Sequence, residues 1–292
     1  MPGPQVDIAT DAGAVLGEGP VWDARTRRLV WLDILPGLVH QYDPATGLDV
    51  ATAMGKPVGA VAPRQAGGWV LATSTGFDLA DSDFQNLRPL ASMPELHPTL
   101  RFNDGGCDPA GRFLAGTIAD DNRPGAGTLY RLEPDATCHL VLADLTISNG
   151  LAWAPDGRTL YYIDSTTGGI DAFDYHLNTG TISRRRRLID VAPADGIPDG
   201  LTIDTDGCLW VALWGGAAVH RYTPAGTLDE VVRFPAANVT APAFGGDLLD
   251  VLFITSARHG LDPAELDTQP HAGALFALSP GVAGLPPFAF AG

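Results

Sequence analysis

A chain of 292 residues with a net charge of −16 does not suit nucleic acid or an anionic membrane surface, because phosphate binding needs clustered cations. Its 35 glycines and 24 prolines are spread along the chain, which fits many short strands joined by tight turns rather than low-complexity disorder. There is no 18-residue apolar run and no charged-then-apolar leader, and Cys107, Cys138 and Cys208 form no CxxC pair. These features predict a soluble cytoplasmic protein without a disulfide framework.

From the N-terminus, residues 5–16 alternate loosely, as a strand does. A unit then begins that recurs to the end of the chain: a polar residue, an apolar strand, a tight turn and a second apolar strand. Its clearest copy runs from Ile147 through Asn149 and Trp153, turns at Pro155-Asp156-Gly157, and returns through Leu160 to Asp164. Apolar runs flanking such a turn predict a hairpin. With Trp153 as landmark, the counterparts are Trp22, Val61, Cys107, Ile203 and Phe244, spaced 39, 46, 46, 50 and 41 residues apart.

A period of roughly 40–50 residues built from short strands, without helical periodicity, predicts propeller blades. Six copies fill the chain, so the expectation is an all-β, six-bladed β-propeller forming a single domain over residues 1–292. Residues 5–16 and the C-terminal segment 288–290 are expected to close the ring by completing one blade from both chain ends.

The repeat also places the candidate chemistry. Four residues before the landmarks stand Glu18, Pro57, Asn103, Asn149, Asp199 and Thr240. Equivalent positions of a radial repeat lie at equal depth around one axis, so Glu18, Asn103, Asn149 and Asp199 are expected to converge at one mouth of the channel. Two carboxylates and two amide carbonyls form an oxygen-only set suited to Ca²⁺, Mg²⁺ or Mn²⁺, or to Zn²⁺ with bound water. The competing reading is that Asn-Gly and Asp-Gly are turn dipeptides; four oxygen donors at one repeat position favour the metal site. The acidic stretch 118–123 reads as a loop and Arg184–Arg187 as a surface run. Cys107 and Cys208 read as small core residues. The seven histidines show no ligand spacing, and no nucleophile elbow, Walker motif or dinucleotide glycine motif occurs, which removes serine-hydrolase, NTPase and Rossmann readings.

Four ordered stretches, Gly17-Glu18-Gly19-Pro20-Val21-Trp22, Arg101-Phe102-Asn103-Asp104-Gly105, Ile147-Ser148-Asn149-Gly150-Leu151 and Ile197-Pro198-Asp199-Gly200, resemble the SMP-30/gluconolactonase (regucalcin-like) family. The resemblance spans the whole chain. It implies one divalent metal ion held by Glu18, Asn149 and Asp199, hydrolysis of a small-molecule sugar lactone, and substrate contacts from Arg101, Asn103 and Asp121. Two departures bear on which sugar fits: Gly106 stands where a larger residue is frequent, and Asp121 where a glutamate is common. Asp199 is the expected catalytic residue, serving as ligand and proton acceptor, and the protein is expected to act as a monomer or weak homodimer. Rival readings are a phosphotriesterase-type hydrolase, a calcium-binding regulatory protein without turnover, and a protein-binding scaffold. The last has no need of carboxylates at the channel mouth.

Overall fold

The computed structural model describes residues 5–93, 97 and 99–292. Six four-stranded antiparallel sheets are arranged as the blades of a propeller. Their inner strands are Gly17–Asp23, Val58–Pro63, Leu100–Cys107, Ser148–Trp153, Ile197–Ile203 and Val239–Gly245. Each of these touches the inner strands of both neighbouring blades, so the ring is closed.

Second strands such as Trp69–Thr73, Phe113–Ala119 and Leu209–Trp214 are buried at nearly every residue. Each blade is covered on both faces by its neighbours, so these strands read as continuous apolar runs instead of alternating. Trp31, Trp69, Trp210, Phe113 and Phe276 are fully buried between blades. Outer strands such as Leu48–Ala53 and Leu228–Arg233 face water and mix polar residues with exposed apolar ones.

The ring closes through both chain ends, but with a different partner from the expected one. Strand Asp7–Thr10 pairs antiparallel with Leu275–Leu278 and completes the sixth blade. The segment around Phe290 instead crosses to blade two, where Phe290 donates to the Pro63 carbonyl and accepts from Gln65 N. Phe290 is fully buried among the cores of blades two and three. It is a plug rather than a strand.

Every inner strand carries a β-bulge at the same level. The pairing slips between Glu18 and Val21, Val58 and Ala60, Phe102 and Asp104, Ser148 and Leu151, Pro198 and Leu201, and Val239 and Pro242. A bulge leaves residues out of the ladder and re-aims their side chains. It also corrects the sequence alignment of blade two. Pro63 pairs with Trp69 as Cys107 pairs with Phe113, so Pro63 and not Val61 is the landmark, and Gly59 and not Pro57 is the equivalent of Asn103. A Cβ on Gly59 would lie 2.2 Å from the carbonyl carbon of Phe102, so no side chain can stand there.

Buried aspartates fasten the inner hairpins. Asp108 accepts from Ala110 N, Arg112 N, Arg112 Nε and the Tyr175 hydroxyl. Asp204 does the same in blade five with Asp206 N, Cys208 N, Trp210 Nε1 and Arg221 Nε. The four arginines of 184–187 lie in outer strand Thr181–Asp190. Arg185 and Arg187 pair with Asp171, and Arg184 and Arg186 with Asp174. The run is a surface feature, as expected. Cys107 and Cys208 are buried free thiols. Among the described residues no helix is long and apolar enough to cross a membrane.

Candidate metal centre

At one mouth of the channel the bulges bring together Glu18, Asn103, Asn149 and Asp199, lining a cavity of about 310 Å³ with Arg101, Asn122, Ser165, His259 and a set of apolar residues. Glu18, Asn103, Asn149 and Asp199 are all at least nine-tenths buried. Two of these strands are clamped just ahead of their polar residue. Asp33 accepts from Val15 N and Leu16 N at 2.9 and 2.8 Å, two residues before Glu18. Asp164 accepts from Thr146 N and Ile147 N at 3.1 and 3.0 Å, two residues before Asn149.

The two amides differ in what they leave free. Asn103 donates Nδ2 to the Ser148 carbonyl at 3.0 Å and accepts Arg101 Nη1 on Oδ1 at 2.7 Å. Its oxygen is engaged by the arginine and its Nδ2 ties it to the neighbouring inner strand. Asn149 donates Nδ2 to Ser165 Oγ at 2.9 Å, and Ser165 Oγ donates to the Pro198 carbonyl at 2.7 Å. That relay orients the amide, and Asn149 Oδ1 is buried without a hydrogen-bond partner. A buried acceptor without a donor costs free energy and calls for an explanation. A cation beside it supplies one.

The carboxylates point the same way. Burial first, then the charges of Asp199 and Asp104, push the Glu18 carboxyl well above its ordinary range, while Gly19 N and Arg101 hold it back. Burial and then Asp104 raise Asp199, opposed by a hydrogen bond from Asn149 and by Arg101. Asp104, facing the channel just below, is pushed up to about 7 by its own burial. Arg101 is the cation among them, its pKa lowered by burial and supported by Glu18, Asp120 and Asp199. Buried acids that repel one another around an orphaned carbonyl oxygen fit a hard divalent ion. Among the described residues no group of three or more His, Cys, Asp and Glu side chains is arranged for a metal; the oxygen-bearing side chains this mouth offers include two carboxylates and the neutral Asn149 oxygen.

The other positions read from the repeat are silent. Thr240 donates Oγ1 to the Gly17 carbonyl at 2.6 Å, fastening blade six to blade one. Asp121, expected at the substrate, is not brought to the cavity. It sits in the exposed loop after Phe113–Ala119, its side chain 62% exposed and nearest Arg123. The next residue, Asn122, takes a left-handed backbone (φ 52) and lines the cavity in its place. Sequence reasoning missed Ser165, whose signal was only its place directly after Asp164. It also missed the apolar wall of Leu16, Ile118, Ile147, Ile197 and Trp214.

The repelling acids predict a pH response of the metal-free protein. Glu18, Asp199 and Asp104 bind protons more tightly folded than unfolded. Their contribution to stability is therefore full below the ordinary carboxylate range near pH 4 and is lost as the pH rises through the folded-state values, about 7 for Asp104. Between pH 5 and 8, chelated protein should lose more of its melting temperature than the Glu18→Gln/Asp199→Asn double variant does. Saturating divalent ion should restore the loss in the parent only. Parallel pH curves for parent and variant would show that these carboxyls carry no such repulsion.

Residues 16–258 match the SMP-30/Gluconolactonase/LRE-like region. The chain is 40% identical to regucalcin of Oryctolagus cuniculus over 283 residues, covering 94% of this chain and 95% of that protein. It is 41% identical to regucalcin of Danio rerio, covering 95% of each. Among solved structures it is similar to a calcium-binding protein, regucalcin, of Agrobacterium tumefaciens, with a TM-score of 0.94 and 28% identity over 98% of this chain and 97% of that one. It is also similar to a luciferin-regenerating enzyme, with a TM-score of 0.92 and 31% identity over 99% and 100% of the two chains. With its six blades and its polar mouth, the chain belongs to the SMP-30/gluconolactonase/LRE-like family.

Proposed function

We propose that this protein hydrolyses lactones, sugar (aldono-) lactones among them, with one divalent ion held by Glu18, Asn149 and Asp199. The observation that carries this reading is the partnerless Asn149 oxygen between two buried, mutually repelling carboxylates. Ca²⁺, Zn²⁺, Mn²⁺ or Mg²⁺ bound there would supply Lewis acidity toward the ester carbonyl and toward water. Glu18 and Asp199 would balance its charge, and the hydrogen bond from Asn149 Nδ2 to Ser165 would fix the amide that offers it an oxygen. Arg101, fixed through Asn103, has further guanidinium donors to orient the ring and exocyclic oxygens of the substrate.

A lactone is an activated ester, so modest assistance suffices. Water adds to the carbonyl carbon, Asp199 takes its proton, and the ring C–O bond breaks. The proton passes to the departing alkoxide, and the product is a hydroxy acid. Ionisation of that acid releases one proton to the medium, which gives the assay. Glucono-, galactono-, xylono- and arabinono-lactones are followed by proton release with chelator and after metal add-back. Turnover should vanish under chelation and return with the ion. A tightly bound ion with turnover of none of them would favour the calcium-binding regulatory or phosphotriesterase-type reading. A solved relative described as a calcium-binding protein keeps the first of these in view.

A further inference from the structure

The floor of the cavity is polar, but its wall is not. Leu16, Ile118, Ile147, Ile197 and Trp214 line it above the Glu18–Asn149–Asp199 floor. They are placed by the fold as pairs: Ile118 bridges to Ile147 between blades three and four, and Ile197 pairs with Trp214 across the first hairpin of blade five. Ile197 is 50% exposed at the rim, a position where a side chain of this size gains little unless something covers it. Trp214 stands edge-to-face with His259, which also lines the cavity.

The polar groups near this wall are mostly committed. The Asn103 amide already serves Arg101 and Ser148, and Ser165 Oγ both accepts and donates. Arg101, Asn122 and His259 are the further polar side chains lining the cavity that can meet substrate hydroxyls. A hydroxyl laid against isoleucine or leucine loses water without replacement, whereas a methylene placed there gains.

We infer that the site takes lactones bearing a hydrocarbon substituent, with the ring on the polar floor and the alkyl chain lying along Ile118, Ile147, Ile197 and Trp214. This rests on the lactone reading above and extends it from polyhydroxylated to alkyl-substituted rings. Burial of one methylene is worth about a fourfold gain in binding.

The test is a homologous series on one ring: δ-hexalactone, δ-octalactone and δ-decalactone, assayed by proton release with the metal-loaded protein. A second series uses unreactive analogues, 2-methyl-, 2-propyl- and 2-pentylcyclohexanone, with Kd measured by calorimetry. The expected result is kcat/KM rising about fifteenfold for each added pair of methylenes, flattened in Ile197→Asn and in Trp214→Ala. Ile197→Asn changes a half-exposed rim residue, so its loss of slope reads the wall and not the fold.

Where lactones turn over, their series decides. A flat or falling series overturns the inference even if aldono-lactones are good substrates. Where no lactone turns over, the ketone series decides. Affinity climbing with chain length, and lost in Ile197→Asn, would keep the apolar wall as a ligand site while the hydrolytic reading falls. Flat ketone affinities would remove both.

Discussion

Asp199→Asn should lower lactone turnover by about 10²-fold or more even at saturating metal, the usual scale for loss of a general base. Asp199 is buried beside Asn149, and burial and then Asp104 raise its pKa. A carboxylate in that setting can both balance an ion and take a proton. The two roles separate on titration with metal. If Asp199 were only a ligand, raising the metal concentration should recover most of the rate in Asp199→Asn. If it also moves the proton, metal occupancy is restored by mass action but the rate stays depressed. Arg101→Ala should behave oppositely, raising KM with metal affinity nearly intact, because no ligand oxygen belongs to it. Full recovery of Asp199→Asn by metal would remove the proton-accepting role and leave the ligand role standing.

A large effect on stability is expected far from the mouth, at Asp204→Ala. Asp204 is fully buried and takes hydrogen bonds from Asp206 N, Cys208 N and Trp210 Nε1 at 3.0, 2.9 and 2.9 Å, and from Arg221 Nε at 2.8 Å. Removing one partner of a buried charge pair typically costs about 3–5 kcal/mol. Arg221 keeps Asp206 and Asp229 as exposed partners, so the lower end, about 3 kcal/mol, applies. For a chain of this size that is roughly a 6 °C fall in melting temperature. Asp156, at the equivalent turn of blade four, accepts only Arg158 N at an exposed site, and Asp156→Ala should leave the transition where it is. Equal melting temperatures for the two variants would show that the Asp204 network does not hold the blade.

The blade count was readable because Trp22, Trp153, Ile203 and Phe244 are bulky landmarks and the turns carry Gly and Pro. In blade two, reading failed. Ala60-Val61-Ala62-Pro63 offers no large residue to count from, and blade two was set two residues out of register. The closing strand was misassigned for a related reason. Leu275–Leu278 is only four residues long, while Phe288-Ala289-Phe290 alternates as a strand would. What distinguishes them is the blade core waiting beside the first and the interior position of Phe290 between blades two and three. Neither is local information.

The mouth was legible as a set of positions but not as a set of states. Repeat spacing places Glu18, Asn149 and Asp199 at one depth, yet it cannot show that Asn149 has a free oxygen and Asn103 has none. That difference is made by Ser165 on one side and Arg101 on the other. Asp121 lies in an exposed loop outside the cavity lining, and the residue after it, Asn122, is left-handed and lines the cavity. The apolar wall escaped notice because Ile118, Ile147 and Ile197 are ordinary strand residues in sequence, and only the blade ends put them on a common face.

The bulges at one level of all six blades make the mouth a dial with six stations, and the two silent ones are silent for unlike reasons. At Gly59 the neighbouring strand passes so close that any side chain collides with backbone. At Thr240 there is room for a side chain, and its hydroxyl is engaged by Gly17 and Thr255. Blade two is therefore closed to variation at this position, whereas blade six is closed only by two hydrogen bonds. A protein built on this plan that needed another donor around its ion has one vacant station at which to acquire it, on the blade that lies between Asp199 and Glu18.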